Sequence, residues 1–236
     1  MQSQERRTQL LNLGAAAVFL AIVGVVVLIV VNGNSSSEQP EASNLQEEAA
    51  VEKLLAGIPQ EGLTLGDPKA PVELIEFGDL QCPFCKQYSE ELLPPVIEGQ
   101  VQQGQAKITF RNFVILGEES NAAGQAALAA GEQGAGWNYI ELFYRNQGTE
   151  KTGYVTDEFM EAVAKGAGVK NLKQWNEERN SKRLKEEVEE TTNEALNKFQ
   201  FGGTPSFAIK GPSTNGIELI APETVEDFEE AINAAS

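Results

Sequence analysis

The chain of 236 residues has two cysteines, Cys82 and Cys85, and no histidine. A Ser-His-Asp or Cys-His catalytic apparatus is therefore impossible within one chain. Cys/His zinc centres need three or four such ligands, and four-cysteine iron–sulfur centres fail by the same count. Attachment of a c-type haem would need a histidine where Lys86 stands. What remains is a pair of sulfurs acting together. Cys82-Pro83-Phe84-Cys85 follows a strand-like run and opens a helical one. That order places the first sulfur at a helix N-terminus, where unpaired backbone N–H groups and the dipole stabilise an anion. A thiolate is the nucleophile of disulfide exchange, so Cys82 is expected to attack. Cys85, one turn on, is placed to resolve the mixed disulfide. Such exchange needs no metal and no cofactor beyond the Cys82–Cys85 disulfide itself. A static staple explains the pair poorly, because closing so short a loop removes little unfolded-state entropy.

The elements that must hold these sulfurs form a mixed pattern. Val72 to Phe77 is a β-branched, apolar run, bounded by Ala70-Pro71 before it and Gly78-Asp79 after it. Helical sequence begins at Cys82-Pro83, with proline in the first turn where its missing N–H is harmless. It runs to Leu93, where Pro94-Pro95 must kink or interrupt it. Lys107 to Ile115 is again strand-like. From about Glu118 to Phe199 apolar residues recur at three- and four-residue spacing, without a strand signal. Ser206 to Lys210 and Ile217 to Ile220 read as two short strands across a turn, and Pro222 to Ala234 as a last helix. The first strand–helix–strand unit should be parallel and right-handed, and the last two strands antiparallel.

The N-terminus sets the expected compartment. Leu10 to Val31 is long and apolar enough to cross a bilayer, interrupted only by Asn12. Arg6 and Arg7 precede it, and Glu38, Glu41, Glu47 and Glu48 follow. The positive-inside rule then keeps residues 1–9 cytoplasmic, makes 10–31 a single-pass signal anchor, and exports the rest. Residues 32–57 read as a flexible tether, with a short helix possible from Glu47 to Ala56. The formal net charge of −17 argues against nucleic acid as a partner. The 41% hydrophobic content argues against wholesale disorder.

The stretch GDPKAPVELIEFGDLQCPFC, Gly66 to Cys85, resembles the active-site strand and helix start of the DsbA-like thioredoxin-fold oxidoreductases. GGTPSF, Gly202 to Phe207, resembles that family's cis-proline loop. The likeness covers roughly Leu63 to Ala234. It implies an α/β thioredoxin fold at 58–117 and 200–236, interrupted by an all-helical subdomain at 118–199. Residue by residue, it makes Cys82 the attacking sulfur and Cys85 the resolving one. Pro205 is then cis, with Thr204 beside Cys82 to pair with an extended substrate by β-augmentation. Glu76 takes the position of the family's buried acid, on the face shared with Leu74 and Val72, where it could relay the proton of Cys85. Glu73 and Asp79 read as surface charge. Pro83 and Phe84 set the redox poise. The strongly oxidising members carry a histidine at the position of Phe84, so a milder oxidant is expected here.

Three functions fit these residues. The favoured one is an extracytoplasmic thiol:disulfide oxidoreductase that forms disulfides in exported proteins and is re-oxidised by a membrane quinone-linked partner. The compartment favours it, because disulfides persist outside the cytoplasm. A reductase or isomerase acting on misoxidised exported proteins would run the same exchange differently. A tethered, non-enzymatic peptide-binding module is the third.

Overall fold

The computed structural model describes residues 45–236. The anchor expected at 10–31 lies outside them, and among the described residues no helix is long and apolar enough to cross a membrane. Helix α1 (Glu48–Leu55) comes first, followed by two short strands, β1 (Gln60–Glu61) and β2 (Thr64–Leu65). Gly62, at φ +57°, makes the turn between them. Strand β3 (Val72–Gly78) leads through residues 79–82 into a helical rod, and β4 (Ala106–Asn112) returns beside it. Five helices follow: α3 (Glu118–Gly131), α4 (Gly136–Arg145), α5 (Asp157–Gly166), α6 (Leu172–Arg179) and α7 (Lys182–Asn193). The chain closes with β5 (Ser206–Lys210), β6 (Glu218–Ile220) and α8 (Val225–Ala235).

The strands form one sheet in the order β1-β2-β4-β3-β5-β6. β3 pairs with β4 in parallel and β5 with β6 antiparallel, as their connections predict, and β3 also pairs antiparallel with β5. β3 is therefore central and buried along nearly its whole length. The β1–β2 hairpin extends the sheet beyond β4 and carries no hydrophobic alternation long enough to read. The sheet ends β3 on Gly78, where a Cβ would come within 2.5 Å of the Phe110 ring.

The rod at 83–101, α2, shows how the proline pair is accommodated. It runs as Pro83–Gln87, a wide π-helical stretch Tyr88–Leu92, Leu93–Val96, and a second π stretch Ile97–Val101. Pro94 and Pro95 sit in the first turn after the first π stretch, where the looser spacing leaves no donor required of them. The interruption expected at Pro94-Pro95 is thus a local widening of a continuous rod.

Between 118 and 199 every regular element is helical. Trp137 and Trp175 are fully buried there, and their indole nitrogens donate to the carbonyls of Leu63 and Ala126 at 2.8 and 2.9 Å. Glu178 near the end of α6 pairs with Arg183 at 2.9 Å, and Lys182 with Glu186 at 2.9 Å. The last helix starts at Val225 rather than Pro222, where Thr224 and Asp227 close a capping box.

The tether at 32–57 is too long at its C-terminal end. Val51 and Leu55 of α1 are buried in the main core, and the Asn146 side chain bonds both the amide and the carbonyl of Gln46. An i, i+4 apolar pair with a large face to cover was enough to dock this segment. Leu55→Ala should lower the unfolding free energy by about 2–3 kcal/mol. Exposed Glu52→Ala should change it by less than about 0.5 kcal/mol in the same urea titration. Equal, negligible effects would return α1 to the tether.

Candidate active site

Cys82 caps the N-terminus of the rod, with Pro83 in its first position and Cys85 one turn in. The two sulfurs are free thiols in unequal surroundings. Cys82 keeps 5% of its surface, while Cys85 keeps none. The Cys82 S–H donates to the Thr204 carbonyl at 3.3 Å, and the Thr204–Pro205 peptide is cis. Phe84, between the sulfurs, is 64% exposed and stands clear of the core.

These contacts set two opposite acidities. The Cys82 thiol is lowered to about 6, chiefly by a hydrogen bond from the Cys85 thiol, against the cost of burial. The Thr204 side chain and the amides of Cys85 and Phe84 lower it further. The Thr204 hydroxyl is buried and has no other partner, so it is free to serve the thiolate. Burial pushes the Cys85 thiol well above the ordinary range, and its bond to Cys82 and the charges of Cys82 and Glu76 add to the rise. One sulfur is thus a thiolate near neutrality and the other holds its proton.

Glu76 lies in β3 between Phe110 of β4 and Phe207 of β5, and only 1% of it is exposed. Burial raises its carboxyl to about 8, with smaller contributions from Glu141 and Cys82. The face it shares with Leu74 and Val72 is the core face.

Asp79, expected on the surface, is buried instead. Its carboxylate accepts the amides of Gln81, Ile115 and Leu116 at 2.9, 2.9 and 3.0 Å. A short acidic side chain satisfies three amides of two loops, so its desolvation is compensated. The loop before Cys82 is thereby fixed to the loop after β4. Glu73 is half-buried and accepts the Thr109 hydroxyl at 2.7 Å. Glu141 of α4 is wholly buried, and the sequence reading passed over it. Its signal was present: it is the lone charge between Trp137 and Tyr144, with apolar residues on every face of the helix.

Beside the cis peptide, a groove of about 420 Å³ is bounded by Tyr88, Pro205, Phe207, Leu219, Ile220 and Pro222. Tyr88 stacks on Phe207 and donates its hydroxyl to the Pro222 carbonyl at 2.8 Å, so the groove floor is fixed. Among the described residues no group of three or more acidic or cysteine side chains is placed to hold a metal ion.

A sheet whose central strand feeds a dithiol helix, faced by a cis-proline loop and interrupted by helices, defines a thioredoxin-fold protein. A family model described as Thioredoxin matches residues 59–234. The chain belongs to the thioredoxin family and is a DsbA-like thioredoxin-fold oxidoreductase. The probable disulfide bond formation protein D of Bacillus anthracis is 29% identical over 155 residues, covering 64% of this chain and 71% of the relative. Oxidised BdbD of Bacillus subtilis superposes with a TM-score of 0.64 at 22% identity, over 75% of this chain and 95% of that one. The α-DsbA1 of Wolbachia pipientis gives 0.58 at 21%, over 76% and 91%.

Alkylation by iodoacetamide should distinguish the two sulfurs. In the reduced protein Cys82 should react with a pH midpoint near 6, while Cys85 stays unmodified at neutral pH. Mass mapping of the alkylated peptide reads this directly. Preferential modification of Cys85 would reverse the assignment.

Proposed function

We propose that this oxidoreductase forms disulfides in exported proteins by dithiol–disulfide exchange through the Cys82-Pro83-Phe84-Cys85 motif. The reading rests above all on the unequal acidities of the two sulfurs, which suit one as nucleophile and leaving group and the other as a protonated reserve. In the oxidised enzyme a substrate thiolate attacks the Cys82 sulfur. The Cys82–Cys85 bond breaks and its electron pair leaves on Cys85, which takes a proton from Glu76. A second substrate thiolate then attacks the substrate sulfur of the mixed disulfide. Cys82 leaves as the thiolate that its hydrogen bonds stabilise. The substrate has lost two electrons and the enzyme has gained them.

Thr204 and Pro205 serve substrate binding in this reading. Their loop faces Cys82, and an extended chain laid along the neighbouring groove would bring its sulfur to that point. Exposed Phe84 offers apolar contact to the unfolded segments that need disulfides. The electrons pass on to a membrane quinone-linked partner. The anchor at 10–31 would hold the domain on the outer face of the membrane, next to that partner and to emerging substrates. No further cofactor is required.

The test is oxidation of a reduced, unfolded protein by the full-length chain and two variants. Cys82→Ser should abolish it. Cys85→Ser, with Cys82 first activated as a mixed disulfide with thionitrobenzoate, should release that thiol and accumulate a mixed disulfide with the substrate, visible on non-reducing gels. Full oxidation by Cys82→Ser, or no adduct with Cys85→Ser, would contradict the reading.

A further inference from the structure

A second acid, Glu141, is wholly buried beside the rod. Glu141 lies on α4, a helix packed against the start of the rod that carries both cysteines. From the rod, the Ser89 hydroxyl donates to its Oε1 at 3.0 Å. One turn along α4, the Arg145 guanidinium pairs with its Oε2 at 3.5 Å. Arg145 also donates to half-exposed Glu47 at 2.6 Å, so the cation is shared between a buried and a surface carboxylate. Glu76 has no such support. Glu76 Oε1 and Glu141 Oε2 are both buried without a hydrogen bond, but Glu141 Oε2 faces the Arg145 guanidinium, and no cation among the described residues pairs with Glu76.

Two carboxylates in one water-poor layer cannot both ionise cheaply, and a cation beside one of them decides which carries the charge. We propose that Glu141, held by Arg145 and Ser89, is a positioning residue that takes the single negative charge of this layer and so keeps Glu76 protonated for Cys85. The proposal rests on the exchange reading above. When the disulfide opens, the Glu76 proton passes to the Cys85 sulfur. Glu76 then regains one of the two protons that the substrate thiols release, and Cys85 gives its own proton to solvent on re-oxidation, so protons and electrons balance over a cycle and Glu76 is protonated in the reduced enzyme.

The other charges around the pair agree with this order. Burial is the main force raising Glu141, to about 7, and Arg145 and Ser89 oppose it. Glu90 of the rod, itself 3.7 Å from Lys86, pushes Glu141 upward. Glu76, faced by Glu141 and Cys82, stays protonated to about 8. Cys85 and the buried Tyr144 hydroxyl also face Glu76, and its charge raises both. Ionised Glu76 would therefore disfavour thiolate at either sulfur.

The test uses the full-length reduced chain with 13C-labelled glutamate carboxyls, the Glu76 signal being assigned by its loss in Glu76→Gln. In Glu141→Gln, which keeps the side chain's shape, the Glu76 titration should move down by about one pH unit or more. The reduction potential at pH 7 should become more negative in that variant, and this change should vanish when Glu76→Gln is also present. A merely structural role for Glu141 would leave the change intact in the double variant. An unmoved Glu76 titration, or an undiminished change in the double variant, overturns the proposal. Should Glu141→Gln not fold, Arg145→Gln decides. It leaves Glu141 without its cation, so Glu76 should again titrate lower, and an unchanged value overturns the proposal. The titration is read without substrate, so it fails independently of the exchange reading, which the Cys82→Ser assay tests.

Discussion

A thiolate near a protein core persists only where donors replace the water it has lost, and around Cys82 those donors come from separate parts of the chain. The rod supplies the Phe84 and Cys85 amides and the Cys85 thiol, and the loop before β5 supplies Thr204. Each donor depends on a different piece of the fold. The rod is aimed by β3, whose end at Gly78 is set by the Phe110 ring of β4. Asp79 ties the loop before Cys82 to the segment after β4. The Thr204 loop is brought across by the antiparallel pairing of β5 with β3, Phe77 opposite Ser206 and Glu76 opposite Phe207. Sheet, rod and loop thus meet at one sulfur.

The second sulfur gains its character by exclusion. Cys85 lies one turn inside the rod and, like Glu76 and Glu141, is almost wholly buried. Its high proton affinity and the low one of Cys82 have one origin, since the bond Cys85 donates to Cys82 stabilises the outer thiolate and holds the inner proton. Two buried acids near neutral acidity are costly features for a stable domain, and such groups concentrate where chemistry needs them. The helical block repays part of that cost structurally, because α4 brings in Arg145 as well as Glu141.

Most of this was legible from residue types and spacing. Without histidine, and with the chain's only cysteines separated by two residues, Cys82 and Cys85 admitted little but exchange chemistry. The β-branched run before them and the proline after Cys82 placed the dithiol at a strand-to-helix junction. Alternation along β3 put Glu76 on the inner face. Three of the features that escaped had no local signal. The β1–β2 hairpin is two residues per strand, too short for any period. Asp79 looks like a turn aspartate until the loop at 115–116 arrives, and that contact spans 36 residues of sequence. The docking of α1 depends on α4, about 90 residues later, which no local pattern reports. A kink or interruption was expected at the proline pair because sequence rules assume α-helical spacing, whereas a π stretch relieves the same clash without ending the rod.

Hydrogen bonds to the Cys82 thiolate stabilise the reduced form and so make the disulfide oxidising. Phe84 contributes no positive charge, so the effect should stop short of the extreme. The direct measurement is the reduction potential of the Cys82–Cys85 couple, from equilibration of the full-length chain with glutathione buffers. The expected value lies above that of thioredoxin, about −270 mV, and below that of the strongest known oxidant of the fold, about −120 mV. A value at or below the thioredoxin figure would contradict it and make the protein a reductase.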